Sequence, residues 1–460
     1  MNRLSILAIG ATLLVSSCNL YKKYERPEVN TDVFRSELAG MDSSADADTT
    51  NFGNLPWREL FTDPLLQGYI EQGLTNNIDL LTAALSVKQA QAQLTASRLS
   101  FFPSFTFAPT GTVSSWDRSK ASQVYSLPIQ ASWSVDLFGS LLNTKRAAQV
   151  ALLQSKDYQV SVQTNLVANI ANSYFTLLML DEQLKLTRET ADLTKRTWEV
   201  MEARKDYGTT TEASVQSAKA SHYSVLASIP EIQRQITVAE NTLSLLLGQP
   251  VDKIERSTLA AQSMPNSFPT GVPVQLLSNR ADVHAAEMTL ANCYYQVNVA
   301  RAAFYPALNI TGSAAWTNSS GAGIVNPGKL LATAVGSLTQ PLFAKGQLVA
   351  ALKVAKAAQE KAFLAWQYSV LSAGSEVSNA LALYESSSEK SRQEAVQIES
   401  LKKNVEIAQE LFGMDASTTY LEVITAQQSL LSAQLTKISD DFYKMQAVVN
   451  LYYALGGGRY

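Results

Sequence analysis

From Ser140 to Tyr207 the chain runs 68 residues without a Gly or a Pro, with Gly139 just before the run and Gly208 just after it. Within it Leu166, Ile170, Ser173, Leu177, Leu180 and Leu184 step by four and three, the period of a coiled-coil seam. A helix over 140–207 would span roughly 100 Å at 1.5 Å per residue. A compact globule of this length has a radius of gyration of only about 23 Å, so such a helix must project from it. A second stretch, 347–412, is 66 residues long and holds only Gly374 as a breaker. Two helices of this size argue for a helical tube or stalk and against a globular enzyme.

The rest of the chain repeats that plan. From Ser104 the period becomes two: Phe105, Phe107, Gly111 and Val113 alternate with Ser104, Thr106, Thr110 and Thr112. Leu127, Ile129, Ala131, Trp133 and Val135 then alternate with Ser126, Gln130, Ser132 and Ser134, which predicts a hairpin over 104–135 with one apolar and one polar face. A second hairpin is expected over 307–340, less cleanly patterned in its second strand. Asp79 and Asp282, Arg98 and Arg301, and Pro103 and Pro306 are each 203 residues apart; Phe138 and Phe343, like Gly208 and Gly413, are 205 apart. The chain therefore reads as two internal repeats, 56–250 and 276–460, joined by a Pro-rich stretch, 251–275. Each holds a helix, a hairpin, a very long helix (140–207, 347–412), a turn and a return helix (212–247, 419–455).

Four strands with one apolar face cannot close a barrel in lipid, because open edges leave backbone groups unsatisfied there. Three copies would supply twelve. A soluble four-stranded sheet with one solvated face is the other reading of the same pattern, and it leaves the duplicated long helices unexplained. No later apolar run reaches the roughly 18 residues of a spanning helix.

At the N-terminus Arg3 precedes an apolar run, Leu4 to Val15, and then Ser16-Ser17-Cys18. This is the pattern of a lipoprotein signal, 1–17, whose Cys18 becomes the acylated first residue of an extended tether, 18–55. An ordinary signal peptide with an incidental Cys is the alternative.

Little points to catalysis. The chain carries 37 Lys and Arg against 40 Asp and Glu, near-neutral, which gives no reason to expect nucleic acid. His222 and His284 have no companions at metal-ligand spacing, and the eight methionines do not cluster, so no metal or cofactor is expected. Cys293 reads as a packed thiol. Arg280 and Asp282 read as a structural ion pair at a helix start, where an acid complements the helix dipole.

The chain resembles the TolC family of outer-membrane efflux channels, in its lipoprotein branch of the OprM/NodT kind. Tyr24-Glu25-Arg26-Pro27, Trp57 to Leu65 (Trp-x-x-x-Phe-x-Asp-Pro-Leu), Arg280-Ala281-Asp282-Val283-His284-Ala285-Ala286-Glu287, Tyr420 to Gln427, and Leu451 to Gly458 all lie where that family has like motifs. Asn19, in place of Asp after the Cys, fits sorting to the outer membrane. The resemblance implies a mainly α fold with a β-hairpin pair: a homotrimeric, 12-stranded transmembrane β-barrel in outer-membrane lipid, continued by a long periplasmic α-helical barrel. It implies a passive duct exporting small toxic molecules, with a periplasmic adaptor and an inner-membrane pump of the RND type as partners. The duct of a type I protein-secretion system is the alternative; a lipid-anchored stalk would need no hairpins.

The family places a gate and adaptor contacts at the helical tips. The gate candidates are Asp415, Thr418 and Tyr420, and the contact candidates are Tyr207, Gly208, Thr209, Thr210, Thr211, Glu212, Phe412 and Gly413. Threefold symmetry would make Asp415 a ring of three carboxylates; capping the return helix is its other role. Ala281, Ala416, Thr418 and Ala213-Ser214-Val215 depart from the family pattern.

Overall fold

Glycines bound the long helix in space as they do in sequence. In the computed structural model, α4 (Ser140–Asp206) follows Gly139 and stops before Gly208, both with positive φ. At its end Thr209 N–H donates to Arg204 O and Gly208 N–H to Lys205 O, a Schellman closure that needs a left-handed residue at the glycine. The structure describes residues 21–28, 52–115, 117, 120–265, 280–317, 330–414 and 420–459.

The other helices are α1 (Trp57–Leu60), α2 (Pro64–Asn76), α3 (Ile78–Leu99), α5 (Glu212–Leu246), α6 (Ala281–Ala302), α7 (Gln347–Gly413) and α8 (Tyr420–Ala454). The strands are β1 (Ser104–Phe107), β2 (Thr110–Ser114), β3 (Ser122–Val135), β4 (Ala307–Thr317) and β5 (Leu330–Thr339). Helix lengths come in pairs: α3 and α6 have 22 residues, α4 and α7 have 67, α5 and α8 have 35. Among the described residues no helix is long and apolar enough to cross a membrane.

The chain divides into two compact units. The first comprises Met1–Val29, Ala84–Asp157 and His284–Ser369, and it holds the sheet. The strands run antiparallel in the order β1-β3-β4-β5, with β2 also on β3. The strand expected from residue 104 onward is thus two short strands sharing one partner, and the sheet has five strands where four were expected. The interruption falls at Ala108-Pro109, opposite Pro128. Ala108 N–H still donates to Pro128 O at 3.4 Å, but Pro128 has no N–H to return, so the ladder lapses there.

The second unit comprises Asn30–Ala83, Tyr158–Val283 and Val370–Tyr460, and it holds the main core. Leu166, Ile170, Leu177 and Leu180 of the seam are buried there, as are Tyr174, Phe175 and Leu178 beside it. A 3.5-residue seam marks one contact face, and α4 is covered on a wider arc by Trp57, Phe61, Leu243 and Tyr452.

Asp63 caps α2 and ties this core together. Its carboxylate accepts hydrogen bonds from Leu65 N (2.9 Å), Tyr174 O–H (2.8 Å), Ser257 O–H (2.5 Å) and Gln262 Nε2 (2.8 Å). Burial raises its pKa, but those four donors outweigh burial and hold it below the ordinary range.

Candidate functional site

The strand register sorts most side chains by polarity. Phe105 lies opposite Ala131 and Phe107 opposite Ile129; Leu127 lies opposite Trp316, Trp133 opposite Ile310, and Val135 opposite Leu308. Ile310 and Leu308 in turn face Gly336 and Leu338. Cross-strand partners share a face, so one surface of the sheet is mainly Phe, Ile, Leu, Trp, Val, Ala and Gly, with Tyr125 and Gln123 at its far end. Its large side chains are exposed, Phe105 at 71% and Leu338 at 65%. The opposite surface carries Ser104, Thr106, Gln130, Ser132, Ser134, Asn309, Thr311, Ser313 and Thr333, interrupted by Val335 opposite Thr311. There Ser134 Oγ donates to Asn309 Oδ1 at 2.7 Å, and the Ser313 and Thr333 hydroxyls are 2.7 Å apart. Among the described strands β1 and β2 pair only with β3, and β5 only with β4, leaving both edges open.

The tips belong to the second unit. Tyr207, 85% exposed, and Gly208 close α4. Thr209 Oγ1 donates to Arg204 O at 3.0 Å, Thr210 follows, and Thr211 caps α5 by accepting from Ser214 N. Glu212 pairs with Lys205. Met201, Val215, Ala218 and Ile424 form a small core with Trp198, Phe412 and Tyr420 packed against it. This brings one expected gate residue, Tyr420, into a cluster with one expected contact residue, Phe412. Gly413 ends α7; Cys18, Asp415 and Thr418 lie outside the described residues.

Several contacts were not visible in the sequence. Arg204 donates from Nη2 to Phe412 O at 2.7 Å and lies 4.1 Å from the centre of its ring. Arg26 reaches Glu287 at 2.5 Å, joining two of the sequence motifs across 261 positions. His284 Nδ1 lies 2.6 Å from Asp157 Oδ2; that hydrogen bond raises the imidazole pKa against the opposing effect of burial. Motifs contained Arg26, His284 and Glu287, but nothing local named their partners, and Arg204 and Asp157 lie in no motif.

Arg280, only 3% exposed at its side chain, pairs through Nη2 with Asp282 at 2.7 Å and through Nη1 with Glu376 at 2.7 Å, and it also donates to Ala454 O. Burial disfavours its charge, and the two carboxylates more than restore it. Arg280 fixes the start of α6 to α7 and the end of α8. Burial raises the Cys293 thiol pKa. Among the described residues no three His, Cys, Asp or Glu side chains group as a metal site.

Known proteins share this arrangement. Residues 69–249 and 272–457 match the family described as "Outer membrane efflux protein". The chain is 27% identical over 465 residues to the cation efflux system protein CusC of Escherichia coli K12, covering 100% of both. It is 28% identical over 479 residues to the toluene efflux pump outer membrane protein TtgC of Pseudomonas putida, covering 99% of this chain and 96% of that one. It superposes on the solved open state of the MtrE outer membrane channel of Neisseria gonorrhoeae with a TM-score of 0.85 at 25% identity, over 96% of this chain and 98% of that one. A two-faced sheet with paired long helices, matched along nearly its whole length, makes this chain a member of the outer membrane efflux protein family.

Proposed function

We propose that three copies of this chain assemble into the outer-membrane channel of a tripartite exporter. The observation that carries the reading is the sheet: one mainly apolar face, one mainly polar face and two open edges. In lipid those edges require partners, and a second copy offers the complementary edge. Four strand positions per chain, β1 with β2 counting as one, give twelve in a threefold ring. The apolar face meets lipid and the Ser, Thr and Asn face lines a wet lumen. The equal helix pairs support two repeats per chain and a pseudo-sixfold helical duct on the periplasmic side.

The tube has no energy source of its own in this reading. An inner-membrane pump, of the RND type, drives transport, and a periplasmic adaptor grips the Tyr207–Glu212 and Phe412–Gly413 tips. The cargo is small toxic solutes, the class to which the toluene and cation named for its relatives belong. Cys18 carries acyl chains. Chemical cross-linking of the purified protein should stop at a trimer, and that trimer should give discrete conductance steps in planar bilayers. A monomer without conductance would overturn the proposal.

A further inference from the structure

The membrane boundary on this chain carries more than an apolar band. We propose that the four helix–strand junctions of the first unit bind the phosphate of an anionic glycerophospholipid in the leaflet facing the periplasm. The inference rests on the barrel reading above.

The junctions are residues 98–103, 135–146, 301–306 and 340–346. They lie at one end of the sheet because Ser104 pairs with Ser132, Val135 with Leu308, and Ala307 with Thr339. Each carries an aromatic ring. Phe102 and Phe343 are exposed, and Phe138 stacks on Tyr305 with centroids 4.8 Å apart. Rings of this kind mark the interface of membrane barrels. The same segments hold five cations, Arg98, Lys145, Arg146, Arg301 and Lys345, against a single carboxylate, Asp136. That carboxylate is already occupied, accepting from Leu142 N at 2.7 Å. At the other end of the sheet the described turn residues carry one charge of each sign, Asp117 and Lys120. With Arg118 and Lys329 of the same turns counted from the sequence, that end holds three cations against one carboxylate, so the larger excess of positive charge is at the helix–strand junctions.

A buried tyrosine stands at the same rim. Tyr21 packs against Gly139, its ring 3.5 Å from where a Cβ would stand there, and its hydroxyl feels both Arg301 and Tyr305. That hydroxyl is buried without a hydrogen-bond partner. Arg301 is thus the guanidinium beside this hydroxyl. A headgroup phosphate there meets a guanidinium suited to bidentate contact, while Tyr305 and Phe343 sit at the level of the glycerol and upper acyl chain.

The test is native mass spectrometry of the purified full-length protein, titrated with dioleoylphosphatidylglycerol or dioleoylphosphatidylcholine. Wild type should retain phosphatidylglycerol at least about fivefold better, the scale expected of one cation at an anionic surface. A variant with Arg98→Gln, Lys145→Gln, Arg301→Gln and Lys345→Gln should lose that preference. A charge-matched variant with Lys185→Gln, Lys195→Gln, Lys402→Gln and Lys403→Gln should keep it, and excess inorganic phosphate should not displace the lipid. Equal retention of both lipids by wild type, or an unchanged preference in the junction variant, overturns the proposal. If the junction variant fails to assemble, salt decides: in wild type the preference must fall as ionic strength rises to about 0.5 M, and indifference to salt overturns it. Planar-bilayer conductance of wild type tests the barrel separately, so a conducting channel without lipid preference sinks only the headgroup site.

Discussion

At the scale of single residues, Arg280 is a buried cation held on three sides, by Asp282, Glu376 and Ala454 O. Its guanidinium is buried while Asp282 and Glu376 remain about 40% exposed at their side chains. Arg280→Met should therefore cost about 1–3 kcal/mol, the range for lost hydrogen bonds to charged groups, because water can still reach the abandoned carboxylates. Thermal unfolding in detergent would show it, and Arg280→Lys should recover little, since an ammonium cannot make the bidentate contact. His284 gives a signed pH effect. Its folded pKa is raised above the ordinary 6.5 by Asp157. The stability it contributes is full below that value and fades as pH rises through the folded one. Melting temperature should fall as pH rises above about 6.5, and His284→Gln should flatten that part of the curve. Asp282 works in the opposite sense. Burial raises its pKa, but Arg280 holds it below 3.8, so its contribution is present above that pH and is lost as acid protonates it.

At the scale of elements, the strands carry a sharper test. Ile129 and Ser132 are three residues apart on β3 and so lie on opposite faces. A cation at mid-membrane on the lipid face of a barrel costs roughly 2–4 kcal/mol. Ile129→Arg should lower the yield of assembled trimer, while Ser132→Arg should assemble and change conductance; equal effects would contradict the proposed lipid-facing side. The Gly208 turn offers a milder element-scale test. A Cβ there would meet open space, so only the left-handed backbone resists substitution. Gly208→Ala should cost about 1 kcal/mol locally, read as faster amide exchange around the tip without loss of fold.

At the scale of the whole molecule, threefold assembly would turn every axial side chain into a ring. Asp415 follows α7 and precedes α8. Three such carboxylates near the axis would attract cations and resist close approach. Asp415→Ala should then weaken cation selectivity and raise resting conductance in planar bilayers; unchanged values would leave Asp415 a helix cap. The acyl anchor is a separate whole-molecule feature. Mass spectrometry should find Cys18 modified, and an unmodified N-terminal peptide would remove the anchor from the account.

What the sequence determined by itself was local: where helices run, because Gly139 and Gly208 bracket an unbroken window, and which strand residues share a face, because a two-residue period allows no other sorting. The motifs from Trp57 to Leu65 and from Arg280 to Glu287 were legible as motifs. Their work was not. That Asp63 gathers Tyr174, Ser257 and Gln262, that Arg26 meets Glu287, and that Arg204 clasps Phe412 were decided by tertiary structure. Even the break in the first strand needed it, since it falls where Ala108 meets Pro128, which has no N–H to return to it. Periodicity and breakers act through bonds a few residues long. A hydrogen bond across 200 positions depends on how whole helices pack, which no local pattern encodes.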